Sequence, residues 1–69
     1  MNNAQDPDRL QLWRLLQMAK PLVEPLYPDQ QKQWLEGSAL AQEISALLAK
    51  HPDYYAEVQA QVGSIFPKP

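Results

Sequence analysis

Apolar positions in this chain recur at helical spacing, not in alternation. Between Ser38 and Lys50, Leu40, Ile44, Leu47 and Leu48 fall at i, i+4, i+7 and i+8, one stripe on a helix. The segment holds no Pro or Gly and is dominated by Ala and Leu, both strong helix formers. Gly37 and Pro52 bracket it. This helix is the expected seam of the core.

Helix starts are marked by a repeated dipeptide. Pro-Asp occurs at Pro7-Asp8, Pro28-Asp29 and Pro52-Asp53, each ahead of a stretch with helical potential. Pro suits the first helical position because its missing N–H has no intrahelical partner there. Asp in the first turn faces the positive end of the helix dipole. The pattern therefore predicts an all-α fold: a single domain forming a small bundle of three main helices, near 7–20, 28–50 and 52–63. Residues 1–5 and 67–69 read as frayed ends, with Asp6 as N-cap of the first helix.

Within that outline several segments carry their own expectations. The first helix bears Leu10, Leu12, Trp13, Leu15, Leu16, Met18 and Ala19, an arc wider than one neighbour covers. It is expected to meet two surfaces, within the domain or across a homodimer. Pro21 should end or kink it, leaving a short helical turn at 21–26 or an extended stretch. Trp34 and Leu35 anchor the second helix, and Gly37-Ser38 should bend or break it. Through Gly37 an unbroken helix would instead align Trp34, Ala41, Ile44 and Leu48. Gly63 suits the position just past a helix end. The sharp turn at His51-Pro52 implies antiparallel packing of the helices on either side.

Length and charge then narrow the classes. Sixty-nine residues without Cys and with one His offer neither a disulfide nor a structural metal set, so no cofactor or metal is expected. A chain this short has to rely on good helix packing or self-association. Six basic against eight acidic residues give a formal charge of −2. The basic residues are scattered singly, unlike the basic face of a nucleic-acid module. No run approaches the roughly 18 apolar residues of a membrane span, and the N-terminus lacks a signal pattern. The chain reads as a soluble, cytoplasmic protein.

Groups suited to catalysis are sparse. Ser38, Ser45 and Ser64 lie outside nucleophile-elbow motifs, and His51 stands in a turn between helices, where caps are common. Two glycines cannot build a phosphate loop. Pro25-Leu26-Tyr27-Pro28 has Pro-x-x-Pro spacing without a flanking basic residue, and it reads as a turn into the second helix.

His51-Pro52-Asp53 resembles the loop signature of the J-domain co-chaperones, helical proteins of about this length that bind the ATPase domain of a larger chaperone. The resemblance covers three residues. In that family a basic helix precedes the tripeptide and a loop follows it, whereas here Lys50 is the single basic residue of the preceding helix and Tyr54-Tyr55-Ala56-Glu57 reads as helical at once. Pro52-Asp53-Tyr54-Tyr55 also looks like a fragment of the bromodomain loop, without the chain length that family needs.

The leading functional expectation is a small non-enzymatic helical module, an adaptor or regulatory subunit, that binds another protein and self-associates as a homodimer. Trp13, Trp34, Tyr54 and Tyr55 are the candidate partner-binding residues, since Trp and Tyr are enriched in interface centres. The alternative is a helix-turn-helix DNA-binding regulator, opposed by the acidic balance and the missing basic recognition helix. A J-domain-like co-chaperone fragment is the second alternative.

Overall fold

The computed structural model describes residues 7–68, and within them every regular element is helical. Helix α1 spans Pro7–Val23, α2 Pro28–Gly37, α3 Ala39–Lys50 and α4 Tyr55–Val62; a 3-10 turn, Pro52–Tyr54, leads into α4. The all-α bundle expected from the periodicity is therefore present. The proposed Asp6 cap, residues 1–5, for which fraying was expected, and Pro69 lie outside the described residues.

Two boundaries differ from expectation, each for a local reason. Helix α1 runs through Pro21 to Val23 and does not stop at Lys20. Pro21 forfeits its own N–H bond, but Ala19 and Val23 on either side of it are buried, which holds the last turn against the core. The Glu24 N–H still bonds the Lys20 carbonyl at 3.0 Å. The Val23 carbonyl, orphaned at the helix end, accepts from the Leu26 N–H and from the Gln31 side chain of α2. Consequently 21–26 is no separate helical turn. Second, the last helix divides: Pro52–Tyr54 winds tightly before α4 begins.

The fork at Gly37-Ser38 resolves as a break. Ser38 is extended, at φ −89° and ψ 131°, and its Oγ accepts from the Ala41 N–H, so it caps α3. Gly37 closes α2 with ordinary negative φ; the break belongs to the serine cap. At the other end of the chain, Gly63 takes φ 79° and ψ −165°, a region essentially reserved for Gly, while its N–H bonds the Gln59 carbonyl.

One core joins these elements. Leu12, Leu15, Leu16 and Ala19 of α1 meet Ala41, Ile44 and Leu48 of α3, with Tyr54, Val58 and Phe66 completing the cluster. Leu40 and Leu47, the flanks of the predicted α3 stripe, are half-buried against it. Phe66 returns from beyond Gly63 to 1% exposure and meets the edge of Trp34, ring centroids 6.1 Å apart. No helix among the described residues is long and apolar enough to cross a membrane.

Candidate functional site

Two features of the surface carry potential function. The first is a polar corner where the start of α1 meets the end of α3. Asp8 lies in the first turn of α1, at the positive end of that helix dipole; Lys50 and His51 lie at the negative end of α3. Asp8 Oδ2 takes contacts from Lys50 Nζ at 3.0 Å and His51 Nε2 at 2.9 Å. The two hydrogen bonds, His51 first and then Lys50, hold the Asp8 carboxyl below its ordinary value against an opposing desolvation. The His51 ring stacks on Tyr54 at 4.5 Å between centroids. Beside this corner Arg9 Nη2 meets Glu57 Oε1 of α4 at 3.1 Å.

These contacts tie the start of α1 to the end of α3. A His–Asp pair becomes catalytic when it orients a nucleophile or a substrate group, and here the Asp8 oxygen facing His51 also takes the Lys50 ammonium. His51-Pro52-Asp53 is accordingly a helix-to-helix corner, with the 3-10 turn beginning at Pro52 itself. Among the described residues no group of three or more His, Cys, Asp or Glu side chains is placed to hold a metal ion.

The second feature is the outward side of α1. Leu10, Trp13, Met18 and Leu22 are each between 52% and 57% exposed. Leu10, Arg14, Met18 and Leu22 are spaced by four, so they form one ridge along the helix. A shallow hollow lined by Pro7, Leu10, Gln11, Arg14 and Leu15 opens at its N-terminal end. Another, lined by Ser45, Leu48, Ala49, Pro67 and Lys68, lies where the C-terminal tail crosses α3.

The four aromatic candidates are placed differently from one another. Trp13 is on the open side of α1. Tyr54 is in the core at 5% exposure, and Trp34 and Tyr55 are half-buried against that core. Their ring area supports the fold, since a domain this small has few other large side chains to fill its centre. Sequence reasoning did not single out Leu10, Met18 and Leu22. For Leu10 and Met18 the signal was the excess width of the α1 apolar arc, since a helix carrying more apolar positions than its neighbours cover must leave some outside. Leu22 lay beyond the expected helix end at Lys20, in a segment expected to lie on the core, and is exposed instead. The Asp8–His51 pairing, by contrast, joins residues 43 apart and leaves no local trace.

Comparison with protein families, curated proteins and solved structures finds no match for this chain.

Proposed function

We propose that this chain is a small helical interaction module, without catalytic chemistry of its own, that docks on another protein through the outer side of α1. One observation carries the reading. Among the described residues, four of the five large hydrophobics left exposed, Leu10, Trp13, Met18 and Leu22, belong to this one helix. Scattered exposed apolar residues need no explanation, but a concentration on one element marks an interaction face. Helix-in-groove recognition uses such anchors at intervals of three and four. The non-enzymatic part rests on the inventory of side chains: no Cys, one His, and that His engaged with Asp8.

Affinity capture with the intact chain tests the reading. A triple variant, Leu10→Ser, Met18→Ser and Leu22→Ser, should keep the helical circular dichroism of the parent and lose its specific partners. A matched variant of the exposed α3 residues Gln42 and Glu43 should retain them. Retention of every partner by the triple variant would overturn the proposal. Self-association through the same side is read separately, by sedimentation over a range of concentrations.

A further inference from the structure

The charge on the α1 ridge goes further and names the chemistry of the partner; this step rests on the docking role proposed above. Arg14 sits inside the ridge, not at its rim. Its helix neighbours three and four residues away are Leu10, Gln11, Gln17 and Met18, so no carboxylate lies one turn from it in either direction. The one carboxylate within α1 is Asp8, which engages Lys50 and His51. Arg9 is held by Glu57, but Arg14, exposed, has no carboxylate partner among the described residues. A guanidinium flanked by Leu10 on one side and Met18 and Leu22 on the other would be desolvated when the ridge is covered. Covering it is favourable only if the partner supplies an acceptor there.

We propose that the α1 ridge docks an acidic amphipathic helix of a partner protein, whose apolar row is interrupted by a carboxylate that meets Arg14. Arg suits this role because its planar fork binds a carboxylate through two parallel hydrogen bonds. A second copy of the chain fits poorly. Arg14 lies near the middle of Pro7–Val23, so a two-fold contact through this ridge brings the two arginines together near the axis. The ridge itself has no carboxylate to separate them. An anionic lipid surface fits poorly as well: polybasic lipid sites gather four to eight cations, and Arg14 is the single cation within the ridge Leu10, Arg14, Met18 and Leu22.

Two synthetic peptides of about 18 residues, long enough for a stable amphipathic helix, test the proposal. They share one Leu/Ala face and differ by a Glu or a Lys in the middle of the apolar row. Binding to the intact chain is read by fluorescence anisotropy. The Glu peptide should bind at least about tenfold more tightly than the Lys peptide, as a desolvated charge pair implies. Arg14→Glu should reverse the order, and Arg14→Gln should level it. Equal binding of the two peptides, or an order unchanged by Arg14→Glu, overturns the acidic partner. If that equal binding is still abolished by the Leu10, Met18 and Leu22 serine variant, the docking role stands; if the serine variant binds as the parent does, both fail. Binding of neither peptide overturns the acidic-helix proposal and leaves the docking role to the capture experiment. Arg14-dependent binding to vesicles of phosphatidylglycerol and phosphatidylcholine without binding to the Glu peptide overturns it in favour of lipid. A concentration-dependent dimer lost in Leu10→Ser, Met18→Ser, Leu22→Ser overturns it in favour of a second copy.

Discussion

Replacing Phe66 with Ala removes the fully buried side chain that, beside the half-buried Ile65, the tail beyond α4 contributes to the core. Phe66 is 1% exposed and meets Trp34 edge-on. A buried Phe removes on the order of 200 Å² from water. At about 25 cal/mol per Å² that corresponds to roughly 5 kcal/mol. The Ala methyl keeps part of it, and the tail end relaxes more easily than a helix interior, which brings the expected loss to about 3 kcal/mol, the low end for such truncations. A domain of this length has a total stability of roughly 3–10 kcal/mol, so the variant should lose from about a third to all of it. Thermal and urea unfolding followed by circular dichroism check this, with a fall in Tm of about 10–25 °C expected for a chain this small. Trp34 fluorescence in a Trp13→Phe background should respond as well, because Phe66 packs on that ring. A loss below about 0.5 kcal/mol, the range of ordinary surface substitutions, would refute the placement of Phe66 in the core.

The two glycines should respond in opposite directions to Ala. Gly63→Ala meets no steric obstacle, yet its φ of 79° and ψ of −165° should cost about 1–3 kcal/mol. Gly37→Ala, in helical backbone with open space around it, should gain about 0.5–1 kcal/mol; urea midpoints at constant m-value give both signs. Ser38→Ala removes the α3 cap and should cost about 0.5–1 kcal/mol, toward the low end because its hydrogen bond is 3.4 Å long. Asp8 predicts an acid-side effect. Its folded pKa is depressed, so its contribution is present above the unfolded value of about 3.9 and is lost as pH falls through the folded value. Asp8→Asn should therefore lower Tm at neutral pH, and the difference from the parent should shrink as pH falls below the unfolded value and through the folded one; a difference that does not shrink on acidification would count against the fastening role of the corner.

Much of the fold was readable locally because helix formation is written at short range. Pro-Asp at 28–29 and 52–53 begins α2 and the 3-10 turn, Gly63 ends α4, and Ile44 and Leu48 lie on the buried side of α3 as their spacing requires. Competition between two local rules was harder to judge. At Pro21, ring geometry argued for a stop, and burial of Ala19 and Val23 carried α1 past it. At Gly37-Ser38 the side-chain cap settled a choice that propensity left open.

Tertiary structure alone decided which apolar side chains are core and which are surface. By themselves, Leu10 and Leu16 are equivalent residues of one amphipathic helix; only the arrival of α3 and α4 buries Leu16 and leaves Leu10 outside. The same holds for the aromatics: Trp13 is open while Tyr54 is enclosed, because the 3-10 turn carries Tyr54 inward. Asp8 and His51 meet only once the bundle closes. Periodicity and caps specify helices because they act within a turn or two of the chain. Burial and charge pairing join residues far apart in sequence, so the exposed ridge of α1 and its unanswered Arg14 became visible only when the helices were packed.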